Sequence, residues 1–250
     1  MNPDPAPQPN RPVPAGGFHT TRWTQVIQAR ESSGAGLEAL RDLCAAYYAP
    51  VIAFLRRQGN DADAARELAH EFFERMLEGD AIAGADRAQG RFRSYLLGAV
   101  KHFVAHRREF AHRQRRGGGV RPLSIDESSP DSPSVAVPDD ERLSPDAAFD
   151  RQWAVTVLSR AMTALEKECA AQGKGDLLKQ LRPWLLGEAT HGDQAQAGEA
   201  FGLSAAAMKV TVHRMRHRYR RLVRAEIACI LNDDAFVEEE MAALLLALGR

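Results

Sequence analysis

From Thr21 to about His112 apolar residues recur every three or four positions, and the strict alternation of a half-buried strand is absent. This spacing predicts helices over 22–30, 36–58, 61–78 and 90–111. The pattern then lapses. The stretch RRGGGVRPLSIDESSPDSPSVAVPDDERLSP gathers Gly, Ser, Pro and acidic residues, offers little to bury, and predicts a flexible linker over 113–145. Helical periodicity resumes near Pro145 and runs through DAAFDRQWAVTVLSRAMTALEKECAAQ, LLKQLRPWLLG and the long segment that ends at AEIACIL. The closing DDAFVEEEMAALLLALGR predicts a helix over 235–248, with Phe236, Met241, Leu244, Leu245 and Leu248 inward and Glu238, Glu239 and Glu240 outward. The expected fold is all-α. It comprises a Pro-rich, disordered leader (1–18), a helical domain (19–112), the linker, a second helical domain (146–231) and an acidic helical extension (232–250). Left free, that extension would expose an apolar face, so it is expected to dock on its own domain or on a regulator.

Charge changes this picture because it is unevenly spread. The whole chain balances 33 Lys and Arg against 33 Asp and Glu. The segment AAAMKVTVHRMRHRYRRLVR, 205–224, nevertheless holds seven Lys and Arg and no carboxylate. At roughly 100° per residue, Met208, Val212, Met215, Tyr219 and Leu222 fall within an arc of about 80°, the buried stripe of an amphipathic helix. The rest of the surface carries Lys209, His213, Arg214, Arg216, His217, Arg218, Arg220, Arg221 and Arg224. Val210 points away from the packing stripe, where a valine can touch a thymine methyl in a major groove. Upstream, QAQAGEAFGLS supplies a short helix, a turn at Gly202 and Ser204 as N-cap. That is helix-turn-helix order. It would present Ala205, Ala206, Lys209 and Val210 to base edges, while the arginines further along hold phosphates. A charge run is more commonly a solvated bundle surface. Seven cations without one anion, behind a Gly turn and a cap, favour nucleic acid.

The first domain shows an acidic and a basic helix. In RELAHEFFERMLE, Leu68, Ala69, Phe72 and Met76 make an apolar face, while Glu67, Glu71, Glu74 and Glu78 recur within about 60° of one another. Like charges at i,i+4 cost about 0.2–0.5 kcal/mol per pair, so the stripe favours a cationic partner unless Arg66 and Arg75 and solvent suffice. In the next helix Phe92, Leu96, Ala99, Val100 and Phe103 pack inward, and Lys101, Arg108 and His112 share an exposed stripe. Between Lys101 and Arg121 there are seven Lys and Arg against one Glu.

Cys44, Cys169 and Cys229 lie far apart without a CxxC pair, against a sulfur-based zinc site or a secreted disulfide framework and in keeping with a reducing cytoplasm. The leader lacks the apolar core of a signal peptide, and MAALLLALG is far short of the ~20 residues of a membrane helix, so the expectation is a soluble protein with no membrane partner. His102 and His106, like His213 and His217, have the i,i+4 spacing of a zinc helix. Phe103 and Arg214 stand where its general-base glutamate would be. No metal, cofactor or catalytic constellation is expected.

Three of these segments resemble one family. GLSAAAMKVTVHRMRHRYRRL is similar to the carboxy-terminal helix-turn-helix of sigma-70 factors of the extracytoplasmic-function group, RELAHEFFERMLE to their core-polymerase-binding helix, and RFRSYLLGAVKHFVAHRRE to the helix that melts and reads the minus-ten element. The order matches the family's two-domain layout, and the motifs cover about half the chain. The resemblance implies a cytoplasmic sigma factor without enzymatic activity that directs transcription initiation. Its partners would be RNA polymerase core, through the clamp helices of the largest subunit, and promoter DNA. An anti-sigma factor is a further partner the family admits. Carried over residue by residue, Glu67, His70 and Glu71 would contact core, with His70 departing from the family's glutamine. Lys101, His102, His106, Arg107 and Arg108 would serve the downstream element, with histidines at 102 and 106 where family members often carry Asn and Asp. Lys209, Val210, Thr211, His213, Arg214 and Arg218 would serve the upstream element. The rival readings are a helix-turn-helix regulator with an N-terminal sensing or dimerisation domain and, more distantly, a helical nucleic-acid-modifying enzyme.

Overall fold

A computed structural model describes residues 34–78, 92–116, 143–186, 198, 200–229, 231 and 236–249. Those residues form helices and connections with no strand. In chain order the helices are α1 (Gly34–Arg57), α2 (Ala62–Glu78), α3 (Phe92–Arg116), α4 (Pro145–Ala171), α5 (Gly175–Leu186), α6 (Ala205–Ala228) and α7 (Val237–Ala247). The helix expected over 22–30 and the leader lie outside the described residues.

Local chemistry sets the boundaries. α1 ends where Gly59 takes φ +91°, a left-handed value that costs glycine nothing, and α2 begins where Asp61 Oδ1 accepts from Ala64 N–H at 2.8 Å. α4 opens with Ser144, whose hydroxyl accepts from Ala147 N–H at 3.2 Å, and with Pro145 in the first turn. It closes as the Gly173 N–H reaches Ala170 C=O at 3.0 Å and the Lys174 N–H reaches Cys169 C=O at 2.8 Å, with Gly173 at φ +68°.

One boundary departs from expectation. α3 runs on to Arg116, so residues 113–116 of the expected linker are helical, and Pro145 already belongs to α4. Gln and Arg are good helix formers, and Glu109 pairs with Arg113 at 3.3 Å one turn on. Apolar periodicity does not register such a polar continuation. The rest of the linker, 117–142, lies outside the described residues.

α1 lies along α4, and this pairing is the spine of the fold. Leu43, Ala46, Tyr47, Val51 and Phe54 of α1 are buried in the same core as Phe149, Trp153, Ala154 and Val157 of α4. Tyr47 and Phe149 stack with ring centroids 6.4 Å apart. Ala65, Ala69, Phe72, Phe73 and Met76 of α2 and Phe92, Leu96, Val100, Phe103 and Val104 of α3 extend that core, and Tyr219, Val223 and Ile227 of α6 reach it from the other half. Thus the segments before and after the linker meet in one contiguous core. A second, smaller cluster joins Leu181 and Trp184 of α5 to Met208 and Val212 of α6.

The C-terminal extension docks on α4 and α6, with an inner face that differs from the expected one. Val237, Glu240 and Leu244 are buried, Met241 and Leu248 are half-buried, and Phe236, Leu245 and Leu246 are exposed. Consecutive leucines give no preference between faces. The choice falls to Glu240, which meets Arg93 of α3 through Oε2 at 3.0 Å.

Candidate nucleic-acid interface

The candidate interface begins at the turn before α6. Gly198 N and O lie in a tight bend, its carbonyl accepting from Phe201 N–H at 3.0 Å and from Leu203 N–H at 2.9 Å. A Cβ on Gly198 would stand 2.9 Å from the Leu203 carbonyl oxygen and 3.4 Å from Met208 Cβ, so only glycine lets the backbone at 198 lie this close to the start of α6. Gly202 follows at φ +63°. The Ser204 hydroxyl then accepts from Ala207 N–H at 3.2 Å and caps α6, as its place in the sequence predicts. The residues expected to form the preceding helix lie, apart from Gly198 and the turn, outside the described ones.

Along α6 the packing stripe is Met208, Val212, Tyr219, Val223 and Ile227, with Met215 and Leu222 half-buried at its edges. The Tyr219 hydroxyl donates to Leu158 C=O at 2.9 Å, and burial pushes its phenol up to about 12, against a smaller opposing effect of Arg182. On the other side Lys209, His213, Arg214, His217, Arg220 and Arg221 are exposed, and Val210 stands among them at 49 % exposure. Lys209, Arg214, Arg220 and Arg221 make no ion pair among the described residues. Thr211 is half-buried, and its hydroxyl donates to Ala207 C=O one turn back at 2.8 Å.

Three arginines of α6 are committed elsewhere. Arg216, expected on the open face, folds over α5 and donates to the Trp184 carbonyl from Nη2 at 2.7 Å and Nε at 3.1 Å, which satisfies a carbonyl near the end of α5. Arg218 pairs with Glu168 of α4. Its hydrogen bonds hold the Glu168 carboxyl below the usual range. Arg224 pairs with Glu238 of α7 at 2.7 Å. The open cationic surface is therefore the first half of α6 together with Arg220 and Arg221.

On α3, Lys101, His102, His106, Arg107 and Arg108 are all exposed. Lys101 pairs with Asp146 of α4, Arg107 pairs with Glu71 of α2, and Arg108 donates to the Gln58 side chain at 2.8 Å. His102 and His106 are left as the open pair one turn apart. On α2, Glu67 and His70 are exposed, and Glu71 is half-buried. Glu71 meets both Arg107 and Arg75, the latter at 2.7 Å, and is an internal tie between α2 and α3. His70 stacks on Tyr48, and its Nε2 lies 2.7 Å from the Tyr48 hydroxyl.

Sequence reasoning missed Arg93. It is 12 % exposed, is bound by Glu240 and Asp150, and lies over the Trp153 ring at 4.7 Å. Burial alone would push its guanidinium down, and the two carboxylates outweigh that and raise it. Its partners are 57 and 147 residues away in sequence, so no local pattern could reveal it.

Among the described residues no helix is long and apolar enough to cross a membrane, and no group of three or more His, Cys, Asp or Glu could hold a metal ion. Comparison with protein-family models, with curated proteins and with solved structures finds no match to the chain.

Proposed function

We propose that this chain is a cytoplasmic sigma factor of the extracytoplasmic-function type that its motifs resemble. In this reading α2 binds RNA polymerase core, α3 engages the downstream promoter element, and α6 is the recognition helix of a helix-turn-helix that reads the upstream element. It does no covalent chemistry of its own. The observation that carries the reading is the exposed face of α6. Lys209, Val210, His213, Arg214 and His217 lie outward without a carboxylate among them, directly after a glycine turn and a Ser204 cap. Such a helix offers its N-terminal residues to base edges and its later cations to phosphates. Glu67 remains outward on α2 for a cationic partner, beside His70, whose ring is exposed but stacked on Tyr48, and His102 and His106 remain outward on α3 for unpaired bases.

A second reading, a helix-turn-helix regulator whose N-terminal half senses a ligand or dimerises, draws on the common core of α1 and α4, since one contiguous body is what a regulator would use. Two experiments decide. Co-purification with RNA polymerase core is expected for the sigma factor and not for the regulator. Run-off transcription from a promoter library, dependent on both core and this protein, is expected for the sigma factor. Sequence-selective DNA binding without either result would favour the regulator.

A further inference from the structure

The acidic C-terminal helix touches both proposed DNA-binding helices. At the start of α3, Arg93 donates from Nε to Glu240 at 3.0 Å, and also bonds to Asp150 of α4. Near the end of α6, Arg224 donates from Nη2 to Glu238 at 2.9 Å. Between them Lys101 of α3 pairs with Asp146 of α4. Glu240 is 2 % exposed. Burying a carboxylate and a guanidinium gains little over apolar packing of the same volume, and the best-attested use of such a pair is to select one arrangement among several.

We propose that α7 is a clasp that regulates DNA binding, an inference that rests on the function proposed above. Clasped, the two halves form a closed body in which Arg93, Lys101 and Arg224 are neutralised by the chain's own carboxylates. Unclasped, those cations become available to phosphates, and α3 and α6 can move apart to reach separate promoter elements. The Arg93 and Lys101 pairs join the segments before and after the linker and depend on the closed arrangement, whereas Arg224 and Glu238, 14 residues apart on consecutive helices, depend on the docking of α7 alone. Tyr47 stacks on Phe149 within the apolar seam of α1 and α4, which favours the closed state and has to part for the halves to separate. Loss of the clasp shifts that equilibrium.

The test combines a distance with a binding curve on the full-length protein. Spin labels go on Ala62→Cys in α2 and Gln180→Cys in α5, both exposed positions outside the proposed contacts, with Cys229→Ser to remove the exposed native thiol. Binding is measured against a random-sequence DNA duplex over a series of salt concentrations. Glu240→Gln is expected to lengthen and broaden the distance distribution, to raise low-salt affinity several-fold, and to steepen the salt slope by about one to three, at about 0.9 per freed cation. Glu238→Gln removes an exposed pair that folding does not need. It is expected to steepen the slope by about one with no change in distance. Removal of residues 236–250 should reproduce the Glu240→Gln distances should that variant fold poorly. Unchanged distances in both Glu240→Gln and the truncation would overturn the clasp whatever the DNA curves show. Opening without a steeper salt slope would overturn its regulatory role. If neither the parent nor the open variants bound the duplex at low salt, the nucleic-acid reading would fall and this regulation with it, while the distances would still report whether α7 holds the halves together.

Discussion

Glu168 of α4 receives the guanidinium of Arg218 on α6 through two hydrogen bonds, one of them 2.7 Å long from Nε. The pair spans 50 residues and ties the middle of the proposed recognition helix to the scaffold beneath it. Arg218 is thus a cation whose charge the protein has already answered, and Arg221 also feels the Glu168 carboxylate without pairing with it, while Arg220 has no ion pair among the described residues. The cationic face that the proposed function offers to phosphate is set by which arginines α4 and α5 leave open, and the number of arginines in the sequence overstates it.

Replacing Glu168 with Gln should therefore leave α6 in place and expose one more cation. DNA affinity at low salt should rise, and the salt slope should steepen by up to about 0.9. The pair is partly solvated, so the loss of stability at neutral pH should stay within about 1 kcal/mol. That loss has a definite pH dependence. The carboxyl is depressed in the folded state, so its contribution is present above its unfolded value near 4.3 and disappears as pH falls through the depressed folded value. Thermal unfolding of parent and Glu168→Gln should differ at pH 7 and converge in strong acid. A difference that grew on acidification would contradict the assignment.

Glu67 and Glu71 should behave differently although the sequence places them on one stripe. Glu67→Lys reverses an exposed charge, and it should weaken binding to polymerase core with little effect on unfolding temperature. Glu71→Lys also breaks the ties to Arg75 and Arg107 and sets like charges together between α2 and α3. It should lower the unfolding temperature as well as core affinity. Direct binding to core and calorimetry on both variants separate the effects. Unchanged core affinity in Glu67→Lys would remove the support for α2 as the core-binding helix.

The helices were legible in the sequence because amphipathic periodicity, the turn at Gly202 and the cap at Ser204 are local signals. Val210 was legible for the same reason, since a valine off the apolar stripe is visible in the sequence alone. What could not be read was pairing at a distance. Nothing near Arg93 announces Glu240, and nothing in the run of arginines on α6 distinguishes Arg216, drawn onto the Trp184 carbonyl, from Arg214, left open. The face of α7 was misread because its leucine run has no period, and a buried carboxylate decided it. The stacking of Tyr47 on Phe149, which brings the two halves into one core, likewise depends on residues far apart in the chain.

The turn before α6 should be intolerant in two distinct ways. Gly198→Ala would press a methyl into the Leu203 carbonyl oxygen at 2.9 Å, and backbone must give way. A cost of about 1–3 kcal/mol is expected, with DNA binding lost disproportionately because the start of α6 shifts. Gly202 has open space around it and a φ of +63°, so Gly202→Ala meets backbone strain alone, about 1–2 kcal/mol, and Gly202→Asn should recover part of it. Chemical denaturation of the three variants checks the order. Equal costs for Gly202→Ala and Gly202→Asn would show that the left-handed conformation is not what the position demands.

Position along α6 should separate specificity from affinity. Lys209 and Val210 lie in the first turns after the Ser204 cap, where a helix entering a major groove brings side chains to base edges, and Val210 has no packing duty at 49 % exposure. Arg220 lies about three turns further on, where such a helix leaves the groove for the backbone. Val210→Ser and Lys209→Ala should thus change discrimination among upstream sequences by about 1–3 kcal/mol at one or two base pairs. Arg220→Ala should weaken binding to every sequence alike and reduce the salt slope by about 0.9. Arg218→Ala should fall below Arg220→Ala in its effect on the slope, because Glu168 already holds that charge. The measurement is a binding series over single-base variants of a selected duplex at several salt concentrations, made on the full-length chain. Sequence preference that moved with Arg220 and stayed fixed with Val210 and Lys209 would mean that α6 meets DNA by its C-terminal half, and the polarity of the proposed interface would have to be reversed.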